Sequence, residues 1–215
     1  MPLTLYLHPL ASFCQKVLIA LYENGTPFTP VIVDLGDPES AANFKKVWPI
    51  GKFPVLRDER LDRTVPETSI IIEYLERHYP GPAPMLPADP DLALEARLWD
   101  RFYDLYVSEP MQKIVGDKLR PDDKHDPLGV QQARAALAIS YAIIDQEMAG
   151  KPWAAGETFG MADCSAAPSL FYANLLAPIG PEYPHARAYH ARLMERPSFV
   201  RVVEEAKPYF SMFPG

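Results

Sequence analysis

The chain has 215 residues, and its 48% hydrophobic content is enough for one large domain or two small domains with apolar cores. The formal net charge of -7 argues against binding to nucleic acid, because a phosphate backbone needs a basic surface. The amino terminus lacks a basic start followed by an apolar run, and no stretch of about 18 apolar residues occurs. We therefore expect a cytoplasmic protein that does not bind membranes.

The first third of the chain shows strand and helix patterns in alternation. In chain order we predict a strand at 3–7, a helix from 13 to 24, a strand at 30–33, a short helix at 40–47, a strand at 53–56, a hairpin partner around 60–65, and a helix from 67 or 68. This order is typical of a thioredoxin-like domain, in which helices cover both faces of a small mixed sheet.

After a proline-rich segment, only helical patterns remain. We predict helices at 92–111, 130–148, 161–176, 185–196 and 199–207, with a charged loop at 116–127. The domains are expected to span residues 1–80 and 92–215, with a linker at 81–91. The helix at 92–111 is apolar on more than one side, so we expect it to lie between domains or at a subunit interface.

Two motifs in residues 51–75 indicate a binding site. Pro54 begins an apolar strand, and a cis bond after Phe53 would turn the Phe53 backbone outward to pair with an extended peptide. The helix that starts at Glu67 or Thr68 offers free N–H groups and a hydroxyl to a carboxylate, while Glu67 can accept an ammonium group. Together these groups suit an amino acid, although an ordinary helix start with an early acid is the alternative.

These motifs resemble the glutathione site of cytosolic glutathione S-transferases, in particular bacterial-type members that use serine or cysteine. The resemblance implies a glutathione S-transferase fold, with an N-terminal thioredoxin-like α/β domain and an all-α C-terminal helical bundle. It also implies that glutathione is the co-substrate and that the protein is a homodimer. Cys14 and Cys164 are far apart, with neither CxxC spacing nor a His cluster, so no metal site is expected. The expected glutathione-binding residues are Lys52, Phe53, Pro54, Glu67 and Thr68.

The segment HPLASFCQKV, between the first strand and the first helix, occupies the catalytic position of the fold. When Lys16-Val17 is aligned with the basic-Val pair of the family, Ala11 stands where serine-type members carry the activating serine. Ser12 is then the nearest hydroxyl and our candidate catalytic residue, with backbone N–H groups as the alternative donors. Cys14 matches only the second cysteine of a CxxC motif, which disfavours glutaredoxin-like redox chemistry. We interpret His8 as a packing residue.

The resemblance places the pocket for the second substrate between the domains. Its candidate residues are Tyr103, Tyr106, Tyr209 and Phe213, for which core or interface packing is the alternative. The expected function is conjugation of glutathione to small apolar electrophiles. The same site could support a glutathione-dependent isomerase or dehalogenase, and the missing hydroxyl at position 11 keeps open a catalytically weak binding or stress protein.

Overall fold

The computed structural model describes residues 2–214, which form two packed parts. The first contains strands and helices in the order β1 (Leu3–Leu7), α1 (Ser12–Glu23), β2 (Thr29–Ile32), α2 (Pro38–Val47), β3 (Val55–Asp58), β4 (Arg63–Pro66) and α3 (Thr68–His78). The second is helical, with α4 (Pro90–Phe102), α5 (Glu109–Lys118), α6 (Pro127–Glu147), α7 (Met161–Leu176), α8 (Pro184–Met194) and α9 (Pro197–Ala206). The predicted order of strands and helices in the first part is confirmed, as is the helical character of the second part.

The sheet has the strand order β2-β1-β3-β4. Strand β1 runs parallel to β2 and antiparallel to β3, with Leu5 opposite Leu56. Side chains on alternate positions of β1 are buried, as expected for a strand that packs one face against helices. Strand β2 is at the edge and exposed, and it contains Pro30, which has no N–H to donate. The expected thioredoxin-like sheet is therefore confirmed.

The predicted helix at 92–111 is not continuous. It divides into α4, a π-helical segment (Tyr103–Ser108) and α5, which runs to Lys118, so the expected loop starts later than predicted. Pro110 explains the break, because a proline cannot donate a hydrogen bond to the Tyr106 carbonyl one turn earlier. The Ser140 hydroxyl donates to that carbonyl instead, at 2.7 Å. Within residues 2–214 no helix is both long enough and apolar enough to cross a membrane.

A buried ion-pair cluster joins the two parts. Lys16 on α1 is 1% exposed, and its Nζ lies 2.6 Å from Asp100 Oδ1 and 2.8 Å from Asp104 Oδ2. Ser69 on α3 donates a hydrogen bond to Asp100 at 2.5 Å, and Ser165 on α7 donates to Asp104 at 2.7 Å. The cluster thus fixes the starts of α1 and α3 against the helical part.

Candidate active site

The start of α1 presents unpaired backbone donors. Ala11 precedes the helix in an extended conformation and has no side chain that could cap it, and the first turn carries no acid. Within residues 2–214 the N–H groups of Ser12 and Phe13 have no acceptor, and the Ser12 hydroxyl makes no hydrogen bond. An anion placed here would therefore meet free N–H groups, a hydroxyl and the positive end of the helix dipole.

Side-chain contacts hold the loop that precedes α1. The buried Gln15 amide donates to the Pro9 carbonyl at 2.8 Å and to the Tyr172 hydroxyl at 3.0 Å. Cys14 Sγ accepts the His8 N–H at 3.5 Å. Burial raises the pKa of the Cys14 thiol, which keeps it protonated at neutral pH. Cys14 is consequently a structural residue of the loop and a poor nucleophile.

A cavity of about 590 Å³ opens at the start of α1, between the two parts of the molecule. Ala11, Ser12 and Phe13 form one wall, beside Lys52 and Phe53. Most of the remaining wall is apolar and includes Leu10, Leu35, Met111, Val115, Leu119, Met212 and Phe213, while His8, Gln112 and Tyr172 are its polar members. The cavity combines a polar edge at the helix start with an apolar interior, as ligand pockets commonly do.

A smaller cavity of about 180 Å³ adjoins the large one and shares Phe13, Lys52 and Phe53 with it. Its other residues include Pro54, which follows a cis peptide bond, and Glu67 and Thr68 at the start of α3. The α4 side contributes Arg101 and Asp104, whose side chains lie 3.3 Å apart. This cavity therefore contains acidic and basic groups and a second helix start.

Glu67 has an unusual backbone conformation, with φ at 68° and ψ at 119°. Residues other than glycine rarely adopt a positive φ, and such strain clusters at functional sites. The Glu67 carbonyl accepts the Ile71 N–H at 2.8 Å, so this conformation begins the first turn of α3. It also leaves the Glu67 side chain at the wall of the small cavity.

Comparison with known proteins agrees with this geometry. Residues 5–83 match the family model "Glutathione S-transferase, N-terminal domain", and residues 111–197 match "Glutathione S-transferase, C-terminal domain". The chain belongs to the glutathione S-transferase family. The family resemblance inferred from the cis-proline and Glu67-Thr68 motifs is thereby confirmed.

Individual relatives of the glutathione S-transferase family carry more than one name. A glutathione S-transferase of Pseudomonas putida is 28% identical over 210 residues, covering 95% of this chain and 92% of the relative. A stringent starvation protein A homolog of Haemophilus influenzae is 29% identical, over 96% and 92% of the two chains. A Methylobacterium radiotolerans glutathione S-transferase, solved in complex with glutathione sulfonate, has a TM-score of 0.80 at 27% identity, with 94% of each chain covered.

The structure brings most of the predicted site residues together. Lys52, Phe53, Pro54, Glu67 and Thr68 all line the small cavity, and Ser12 lines the large one. Among the pocket candidates, Phe213 lines the large cavity, and the Tyr209 ring forms a T-shaped pair with the His8 ring at a centroid distance of 5.2 Å.

Two of the predicted pocket residues lie elsewhere. Tyr103 is 1% exposed and packs among Trp99, Phe102 and Tyr189. Tyr106 is 57% exposed on the surface of the π-helical segment. Neither contributes to the walls of the two cavities; Tyr103 is a core residue, whereas Tyr106 is exposed.

Sequence reasoning missed the wall that α5 contributes to the large cavity. Met111, Val115 and Leu119 are spaced by four residues, a helical signal that the predicted helix end at 111 concealed. Arg101 on α4 and Asp104 in the π-helical segment were missed because only the contact between the helical part and the start of α3 places them at the small cavity. Within residues 2–214 no group of three or more His, Cys, Asp or Glu side chains is arranged to hold a metal.

Proposed function

We propose that the protein conjugates the thiolate of glutathione to small apolar electrophiles. The observation that carries this proposal is the pair of helix starts, α1 and α3, that open onto two adjoining cavities with Lys52 and Phe53 in common. One cavity is small and rich in charged groups, and the other is larger and mostly apolar. A charged tripeptide with a central thiol and a separate apolar substrate match this division.

In the proposed complex, the glutamyl end of glutathione occupies the small cavity. The Thr68 hydroxyl and the free N–H groups of α3 bind its carboxylate, and Glu67 binds its ammonium group. The Phe53 backbone pairs with the cysteine, and Lys52 binds the glycine carboxylate. The ammonium group and the glycine carboxylate then each meet a side chain of opposite charge, and the glutamyl carboxylate meets hydrogen-bond donors.

The start of α1 supplies the stabilisation of the thiolate. Donation from the Ser12 hydroxyl and from the Ser12 and Phe13 N–H groups would lower the thiol pKa, and the thiol proton leaves to solvent. The sulfur lone pair then forms a C–S bond with the electrophile, and the leaving group departs with its electron pair. The protein contributes positioning and anion stabilisation.

A binding protein without catalytic activity is the second candidate. It is favoured by Ala11, which places no hydroxyl at the family's activating position, and by the similarity to a stringent starvation protein A homolog. A protein of this kind would keep the glutathione contacts of the small cavity and would lack turnover.

Retention on glutathione-agarose, followed by a turnover assay with an aryl chloride, tests both candidates. We expect retention and turnover from the wild-type protein and a loss of retention in Thr68→Val, which removes one hydroxyl at nearly constant shape. Thr64→Val is the matched control, since Thr64 lies on β4 outside both cavities. Retention without turnover would favour the binding protein, and absence of retention would contradict both candidates.

We also infer a homodimer, which is typical of the family. Leu94 and Leu98, one turn apart on α4, are 66% and 63% exposed, and Ile70 on α3 is 55% exposed. Arg97 and Glu73 join these two helices through two hydrogen bonds of 2.8 and 2.9 Å. An apolar surface formed by adjacent helices suits a second copy of the chain.

A further inference from the structure

His8, directly after β1, is a polar side chain in the wall of the large cavity to which the proposed function assigns no role. Its ring stacks on Phe53 at a centroid distance of 6.2 Å, with 23° between the ring planes. The Tyr209 ring forms a T-shaped pair with the His8 ring, with 71° between the ring planes and a centroid distance of 5.2 Å. Because Phe53 is the residue whose backbone is proposed to pair with the cysteine of glutathione, His8 lies beside the expected position of the sulfur.

A backbone contact fixes which ring nitrogen carries the proton. His8 Nδ1 accepts the Leu10 N–H at 3.3 Å, and an accepting nitrogen carries no proton. The neutral ring therefore has its proton on Nε2, which has no hydrogen-bond partner within residues 2–214. Burial lowers the pKa of His8, and Asp34 opposes this shift, so the neutral form prevails at neutral pH.

We propose that His8 donates a hydrogen bond from Nε2 to the sulfur of bound glutathione and so stabilises the thiolate. This assignment rests on the proposed transferase function and supplies a side-chain donor where Ala11 has none. The thiol proton passes to solvent, and His8 keeps its own proton throughout. The charged groups near the ring are Asp34 and, in the same cavity wall, Lys52.

Three substitutions at position 8 distinguish hydrogen-bond donation by His8 from a role of its ring in packing. His8→Leu removes the donor, His8→Asn is too short to place one at the Nε2 position, and His8→Gln can place an amide N–H there. His185→Leu is the matched control, because His185 is exposed on α8, away from both cavities. Each protein is titrated with glutathione and with S-methylglutathione, and the thiolate absorbance of bound glutathione is followed against pH.

We expect His8→Leu and His8→Asn to raise the pKa of bound glutathione by about one unit and to lower kcat/KM below that pKa roughly tenfold. The affinity for S-methylglutathione, which has no ionisable thiol, stays unchanged, and His8→Gln and His185→Leu titrate like the wild type. Equal thiol pKa values in wild type, His8→Leu and His8→Asn would overturn the role of His8 and would leave the proposed function standing. So would equal losses of affinity for both ligands. Absence of glutathione binding by the wild type would instead overturn the proposed function together with this role.

Discussion

The positive φ of Glu67 predicts opposite effects of one substitution on stability and on binding. Such a conformation costs a residue other than glycine about 1–3 kcal/mol, so Glu67→Gly should raise the free energy of unfolding by about 1 kcal/mol. The same change removes the proposed ammonium partner and should weaken glutathione binding by about 1.5–3 kcal/mol. Urea denaturation and titration calorimetry measure the two effects.

Asp62 provides the control for this experiment. It also has a positive φ, of 49°, but it lies in an exposed turn outside both cavities. Asp62→Gly should leave the affinity for glutathione unchanged. A fall in stability in Glu67→Gly, or an affinity equal to that of the wild type, would contradict the role given to Glu67.

The two candidate donors to the thiolate, the Ser12 hydroxyl and the backbone N–H groups, lead to different expected effects of mutation. If the hydroxyl holds the thiolate, Ser12→Ala should raise the thiol pKa of bound glutathione and lower turnover near neutral pH by roughly ten- to a thousandfold. If the backbone does so, Ser12→Ala should be almost silent, and Ala11→Ser should raise turnover by restoring the family's hydroxyl. Superimposable thiolate titrations of wild type and Ser12→Ala would remove Ser12 from the catalytic residues.

Residues of the candidate site differ in how well the sequence predicts them. Glu67 and Thr68 were found because a proline, an acid and an apolar repeat mark a helix start locally. His8 was interpreted as a packing residue because the sequence does not reveal that it lines a cavity together with Phe53, which is distant along the chain. Tyr103 and Tyr106 lie three positions apart, yet Tyr103 is buried and Tyr106 is exposed, a difference that their spacing does not reveal.

At the level of helices and strands, the Lys16 cluster predicts a pH-dependent loss of stability. Lys16→Met would leave the Asp100 and Asp104 carboxylates buried without their ammonium partner, which should cost about 3–5 kcal/mol at neutral pH. Burial already raises the pKa of Asp100, and removal of Lys16 raises it further, because Lys16 opposes that shift. The folded variant then holds a proton that the unfolded chain releases near pH 4.

The direction in which pH changes the destabilisation by Lys16→Met can be measured. Since the folded pKa of Asp100 lies above the unfolded one, the contribution of Asp100 to the stability of Lys16→Met should be largest below about pH 4 and should be lost as the pH rises through the folded pKa. Urea denaturation from pH 4 to 7 should show a difference in the free energy of unfolding between wild type and Lys16→Met that grows as the pH rises. Lys113→Met, which breaks the partly exposed pair with Asp126, should lower the free energy of unfolding far less than Lys16→Met does. A difference between wild type and Lys16→Met that stays constant over this pH range would contradict this account of the cluster.

The helix boundaries show what a one-dimensional pattern can and cannot predict. The periodicity at 92–111 correctly indicated helix on both sides of position 103, since apolar spacing survives a π-helical segment. Pro110 breaks the hydrogen-bonding pattern locally, whereas the Tyr106 carbonyl that it leaves without a backbone donor is bound by the Ser140 hydroxyl, 34 positions away in the sequence. The extension of α5 to Lys118 then forms the cavity wall that the sequence alone did not reveal.

For the molecule as a whole, the apolar surface on α3 and α4 predicts a dimer. Light scattering at micromolar concentration should give twice the chain mass of 24.1 kDa. Leu98→Glu should shift the protein toward the monomer, because it places a charge within the expected interface. Leu128→Glu is the control, since Leu128 is equally exposed, at 63%, at the start of α6. A wild-type mass of 24.1 kDa would contradict the dimer.

The two cavities exist only because the sheet part and the helical part pack together, and the central claim is that they hold glutathione as a thiolate. The most direct test is the thiolate absorbance of glutathione bound to the wild-type protein, followed from pH 5 to 10. We predict that the bound thiol titrates well below the value of about 8.5 for a free cysteine thiol. A bound thiol that titrates like free glutathione, or the absence of binding at millimolar glutathione, would contradict the claim.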